Sequence, residues 1–126
     1  MIEKVFIVGL GSFVGGGLRF FISQMIKKYI DKPFPLATFV VNLLGCLLIG
    51  MFYAMFEEQN PMNNNKLMFL TVGFCGGFTT FSTFIDESLN ILRLTNMYKM
   101  SLYLIASIIG GMLMIYVGRL IIKTIL

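Results

Sequence analysis

Twelve consecutive residues, Gly73-Phe74-Cys75-Gly76-Gly77-Phe78-Thr79-Thr80-Phe81-Ser82-Thr83-Phe84, place three glycines and four side-chain hydroxyls inside an apolar stretch. Each glycine weakens a helix by about 1 kcal/mol relative to alanine. Ser and Thr hydroxyls can then bond to the carbonyls that a loosened helix frees. In hydrocarbon, such backbone persists only where protein or water covers it. The chemistry this permits is ion handling, with freed carbonyls facing a cation and N–H groups facing an anion. The stretch Leu67–Leu94 has 28 residues, more than a straight span needs. It is therefore expected to break near mid-membrane into two half-helices. Phe78, Phe81 and Phe84 recur every third residue on one face. A phenylalanine stripe packs equally well on lipid or on helices, but its hydroxyl neighbours would be wasted beside lipid.

Two other polar groups lie where burial is costly. Arg19 follows Gly15-Gly16-Gly17 in the first apolar stretch. Its long stem can snorkel toward Lys27, or it can attract an anion at the end of a water-filled vestibule. Asn42 lies in the second stretch with Thr38 one turn before it on the same face. Its amide offers two donors and one acceptor. They can serve an interhelical hydrogen bond or face a transported anion. Asp86 and Glu87 fall past the run and read as solvated near Arg93, while Asn63-Asn64-Asn65 reads as loop. The chain has no His and no acid–base pair at membrane depth, so it carries no visible equipment for enzymatic chemistry. Cys46 and Cys75 lack metal-ligand spacing and read as small buried hydrophobes.

The elements that must position these residues follow from composition. Of 126 residues, 57% are hydrophobic and 13% charged, about half the charge of a soluble domain at roughly 25%. Four apolar stretches, Val5–Ile26, Leu36–Phe56, Leu67–Leu94 and Met100–Ile122, each reach the roughly 20 residues that cross hydrocarbon. The expected fold is an all-α integral membrane protein, residues 1–126 forming one domain of four transmembrane helices. Glu3, Arg19 and the missing A-x-A-like cleavage site argue that the first stretch is a retained helix and not a signal peptide. The net charge of +4 suits lipid headgroups and needs no nucleic acid. Lys4, Lys66, Arg119 and Lys123 fall at one membrane face and Lys27, Lys28, Lys32, Arg93 and Lys99 at the other. So even a balance leaves orientation undecided, and both topologies are expected. Small residues pair at i,i+4 at Gly11/Gly15, Ser12/Gly16, Gly73/Gly77, Ala106/Gly110 and Ser107/Gly111. Such faces pack helices within one subunit or between subunits. If both topologies occur, an antiparallel homodimer follows.

The chain resembles the Fluc (CrcB) family of fluoride channels, bacterial proteins that export toxic fluoride. The resemblance covers the whole chain. It is carried by Gly11-x-x-x-Gly15-Gly16-Gly17-x-Arg19, by Asn42-Leu43-x-Gly45, and by Gly76-Gly77-Phe78-Thr79-Thr80-Phe81-Ser82-Thr83-Phe84. It implies a multi-pass protein of the bacterial inner membrane, a dual-topology antiparallel homodimer with two fluoride pores, each built from both subunits. It also implies that Phe81 and Phe84 contact fluoride with ring edges, that Asn42 is the pore asparagine, and that Arg19 lies near the vestibule. Backbone carbonyls of Gly76 and Thr79 from both subunits would hold a central structural sodium (Na+). The family's hydroxyl track is matched by Ser82, Thr83, Tyr103 and Ser107, but Gly111 and Ile115 stand where some members carry Ser and Thr. Two other readings compete: a small dual-topology multidrug transporter, which needs a membrane-embedded carboxylate, and a lipid-organising membrane subunit, which would tolerate loss of Asn42 or Phe81.

Overall fold

The computed structural model describes residues 1–126. Four helices, α1 (Ile2–Tyr29), α2 (Leu36–Met55), α3 (Asn65–Leu94) and α4 (Met97–Ile125), are long and apolar enough to cross a membrane. α3 and α4 begin before their apolar stretches because asparagines cap them. The Asn96 side chain accepts the Lys99 N–H at 2.9 Å, so α4 starts at Met97 and not at Met100. Asn64 Oδ1 accepts the N–H groups of Lys66 and Leu67 at 3.1 and 3.2 Å. The asparagine run is thus the N-cap of α3 and not merely loop, since its side-chain oxygen satisfies donors that the first turn leaves free. At the other end of that loop Glu57 and Glu58 take φ of 55° and 57°, and the Glu58 carboxylate grips Arg119 of α4 at 2.9 and 3.3 Å. Both partners are exposed, so the pair contributes at most about 1 kcal/mol.

Glycine determines which helices touch. α1 lies against the first part of α3, and α2 against α4. A Cβ on Gly15 would sit 2.1 Å from the Phe74 carbonyl oxygen, and one on Gly77 would sit 2.7 Å from that of Ser12. Between α2 and α4, a Cβ on Gly50 would meet the Ile115 oxygen at 2.2 Å, and one on Gly118 the Leu47 oxygen at 2.3 Å. The glycines of the small-residue faces at Gly11, Gly15, Gly73, Gly77, Gly110 and Gly111 therefore pack inside one chain. Gly9 and Gly17 meet nothing within 4 Å. Only 19 of 126 residues are buried, so the core is a thin seam around Val41, Leu67, Phe78 and Tyr103. Phe6, Phe13, Phe20 and Phe21 of α1 and Ile105, Ile108, Met112 and Leu113 of α4 point outward. An apolar surface of that extent is suited to lipid or another membrane chain.

α3 is a composite. A turn at Asn65–Met68 leads into wider π-helical turns at Phe69–Cys75 and an α turn at Gly76–Phe78. Thr79 is extended (φ −89°, ψ 163°), and helix resumes at Ser82–Leu94. Hydroxyls perturb the ladder here. Thr71 Oγ1 donates to the Leu67 carbonyl at 2.8 Å, and Ser12 Oγ reaches across from α1 to the Gly73 carbonyl at 3.2 Å. Side-chain insertions of this kind widen or bend a helix. They also reset the phenylalanine spacing. Phe78 stacks on Phe74 (5.7 Å, 9°), whereas Phe81 pairs with Phe84 (6.2 Å, 58°). The expected three-residue stripe is therefore split, because the non-helical residues between Phe78 and Ser82 abolish the helical period.

Candidate functional site

A helix that stops leaves carbonyls without partners, and one that starts leaves N–H groups. At Thr79–Phe81 the chain meets these demands with side chains from α1 and α2. Thr79 N–H and Oγ1 both donate to the Cys75 carbonyl at 3.0 Å. Arg19 Nε donates to the Gly77 carbonyl at 3.1 Å, placing a cation at the negative end of the first half-helix. Asn42 does more. Its Nδ2 donates to the Thr80 carbonyl at 3.0 Å, and its Oδ1 accepts the Thr80 N–H at 2.8 Å. The amide thereby replaces the peptide group that a continuous helix would have supplied. Thr83 N–H donates to Thr80 Oγ1 at 3.3 Å, which caps the second half.

Arg19 is a backbone cap whose Nη groups make no hydrogen bond within the chain. Arg19→Met should lower stability by about 1.5–3 kcal/mol, the usual contribution of a hydrogen bond to a charged group. Thermal unfolding in detergent measures it. An unchanged melting temperature would mean the Gly77 carbonyl does not need the guanidinium.

A cavity of about 460 Å³ opens between α2, α3 and α4, lined by Asn42, Thr79, Thr80, Phe81, Phe84 and Ser107. Its far walls are Ile49, Ile108 and Ile115. Two of its lining residues hold a hydrogen-bond donor without a protein partner. Ser107 Oγ is buried without a partner. Asn42 keeps its second N–H, because one amide hydrogen suffices for Thr80. No acidic side chain lines the space.

Of the other expected site residues, Ser82 and Thr83 face outward, as do Gly76 and Phe81, the last 74% exposed. Thr38 is buried, and although it lies one turn from Asn42 it does not line the cavity. Tyr103 is buried beneath Phe84, with ring centroids 5.1 Å apart at 65°, and Phe34 packs edge-on at 5.3 Å. The Tyr103 hydroxyl donates to Glu87 Oε1 at 3.2 Å. Glu87 in turn borders a second cleft, of about 520 Å³, shared with Lys27, Asp31, Lys32 and Asn90. Glu87 keeps partial exposure at that cleft, but its partner is Tyr103 and not Arg93. Arg93 bonds Asn90 at 2.8 Å, while Glu87, three residues after Phe84, shares the face of α3 that packs on α4. That spacing was the available signal. Cys46, one turn beyond Asn42 on the cavity wall, was likewise passed over.

The family model described as CrcB-like protein, Camphor Resistance (CrcB), matches residues 6–119. The chain belongs to this family. Among its CrcB relatives, one from Azobacteroides pseudotrichonymphae is 40% identical over 118 residues, covering 94% of each chain. Another, from Flavobacterium psychrophilum, is 38% identical over 121 residues, covering 96% of this chain and 98% of the relative. Both relatives bear the name fluoride-specific ion channel FluC. Membership in the CrcB family and four membrane-length helices make the chain a multi-pass membrane protein.

Proposed function

We propose that this chain is a fluoride-selective channel, not an enzyme, that lets toxic fluoride leave a bacterial cell across the inner membrane down its electrochemical gradient. The observation that carries the reading is the cavity with unspent donors and no carboxylate. Fluoride is small and strongly hydrated, and complete dehydration would be prohibitive. The Asn42 amide, the Ser107 hydroxyl and the positive ring edges of Phe81 and Phe84 can replace part of its water shell. None is a deep trap, so an ion can enter and also leave. Chloride, larger and more weakly hydrated, is excluded by a narrow phenylalanine-lined passage. The relatives named fluoride channels support the same substrate.

The functional unit is an antiparallel homodimer with two pores. Gly76, Phe81, Ser82 and Thr83 form an outward patch of backbone, hydroxyls and one ring. Hydrocarbon tolerates loosened backbone only under protein or water, so a second copy covers it. With the interruption of α3 at mid-membrane, Ser82 and Thr83 join Asn42 along a path shared by the two subunits. Arg19 and the lysine-bordered cleft next to Tyr103 form its approach. A structural sodium also fits the residues present. No hydrogen bond from the chain reaches the Gly76 or Thr79 carbonyl. Hard cations collect about six oxygen ligands, so two carbonyls per chain serve such an ion only when a second copy adds its own. When bound, the cation offsets the anion's charge and ties the two interrupted helices together.

Purified protein in liposomes tests the function. Fluoride release measured with a fluoride electrode is expected, without chloride release, and Phe81→Ile should abolish it. Equal efflux of both anions would overturn selectivity, and absence of fluoride efflux would overturn the channel itself.

A further inference from the structure

A groove of about 460 Å³ opens where α1, the end of α2 and the start of α3 meet at one membrane face. Ile7, Phe56, Phe69 and Leu70 make its floor, and the exposed Asn65 and Lys66 stand at its mouth. Glu57 and Glu58, both at positive φ, turn the backbone away from α2 just after Phe56. Asn64 caps α3 two residues before Lys66 and so fixes where that lysine stands. On α1, Lys4 lies three residues before Ile7 and shares its face. Two lysines thus border an apolar floor. Neither has an ion-pair partner, because the ion pair of this chain joins Arg119 to Glu58. The carboxylates nearby are engaged or lie elsewhere. Glu3 accepts the Asn65 amide at 3.4 Å, Glu58 holds Arg119, and Glu57 does not line the groove.

We propose that this groove binds one anionic phospholipid of the adjoining leaflet. An acyl chain lies on Ile7, Phe56, Phe69 and Leu70, while Lys66 and Lys4 hold the phosphate. Charge complementarity selects that occupant. Basic pockets between membrane helices suit anionic headgroups, and lysine stems reach from apolar surface to the headgroup level. An apolar floor alone would accept any lipid; the unpaired lysines make the headgroup's charge count. A second copy of the chain, itself at net charge +4, offers those lysines a poorer partner than a phosphate does. The bound lipid touches three helices at once, so it fastens the start of α1 to the α2–α3 junction. None of the groove's residues lines the cavity beside Asn42, so the site holds whether or not the chain conducts.

Thermal unfolding of the full chain in neutral detergent, with and without added lipid, tests the site. Phosphatidylglycerol should raise the wild-type melting temperature by roughly 3–8 °C, the shift expected of a ligand well above its Kd on a chain of this size. Phosphatidylcholine with the same acyl chains should shift it much less. Glycerol phosphate, which has the anion without the chains, should not shift it. Lys4→Gln/Lys66→Gln should lose most of the phosphatidylglycerol shift, measured from its own lipid-free baseline. Lys123→Gln should keep that shift, since Lys123 does not line the groove. An equal response to phosphatidylcholine, a full response of the double variant, or an equal loss in Lys123→Gln would each overturn the proposal. A matching shift from glycerol phosphate would overturn it in favour of a free-anion site. Native mass spectrometry gives a count that does not depend on stability. Wild type should retain one phosphatidylglycerol per chain and the double variant should lose it, and equal retention would also overturn the proposal. If wild type retains no lipid and the groove-filling Leu70→Trp instead splits an oligomer on gel filtration, the groove belongs to a second copy and the proposal falls.

Discussion

Asn42→Asp is expected to abolish fluoride efflux and to lower the melting temperature of the protein markedly. The substitution is nearly isosteric, so packing is not the issue. What changes is hydrogen bonding at the interruption of α3. Asn42 Nδ2 donates to the Thr80 carbonyl while Oδ1 accepts the Thr80 N–H. An aspartate keeps the acceptor and turns a second oxygen toward the carbonyl, so an attraction becomes a repulsion. An unsatisfied buried group costs about 1–3 kcal/mol, and an aspartate at membrane depth costs about 2.5–3.5 kcal/mol on insertion scales. A carboxylate also repels the anion the path is built for. Liposome efflux and thermal unfolding check the two parts separately. Normal efflux from Asn42→Asp would show that the amide neither holds the break nor faces the ion.

Gly15→Ala should be the most damaging single methyl group in the protein, and Gly17→Ala among the most harmless. The added Cβ at Gly15 would lie 2.1 Å from the Phe74 oxygen and 3.0 Å from the Phe78 nitrogen. Both are backbone atoms, so no rotamer change relieves the overlap. α1 has to move away from α3, which stretches the Ser12–Gly73 and Arg19–Gly77 hydrogen bonds. Overpacking alone costs about 1–3 kcal/mol, and each lost hydrogen bond adds about 1 kcal/mol. At Gly17 nothing lies within 4 Å, and alanine there favours helix by about 1 kcal/mol. Yield of monodisperse protein on gel filtration, with its melting temperature, separates the two. Similar behaviour of both variants would contradict the α1–α3 packing.

How much of this was legible without coordinates depended on the range of the interaction. The four helices were readable because hydrocarbon demands long apolar runs, a local property. Their ends were less so: Asn64 and Asn96 are polar residues that begin helices, and an apolar-run criterion stops short of them. The glycine faces announced close approach, but not that Gly11 and Gly15 would find Gly73, Phe74 and Gly77 in the same chain. Asn42 was visible as a costly polar residue. Its pairing with Thr80, 38 residues away, exists only once α2 lies beside α3. Phe78 was misplaced for a related reason, since a period of 3.6 residues means nothing across Thr79–Phe81. Glu87 shows the opposite: its spacing from Phe84 put it on the side of α3 that meets Tyr103, and its charge argued it away.

The interruption of α3 has one more consequence, for biogenesis. The hydrogen bonds it receives from other helices come from Asn42 on α2 and from Arg19 on α1, with none contributed by α4. The third segment therefore cannot reach its final shape as an autonomous hairpin partner, however favourably it partitions into lipid. Both segments that bond to it precede it in the chain. Vectorial synthesis supplies that order, N-terminal half first, and the last helix closes over a break whose bonds are already made.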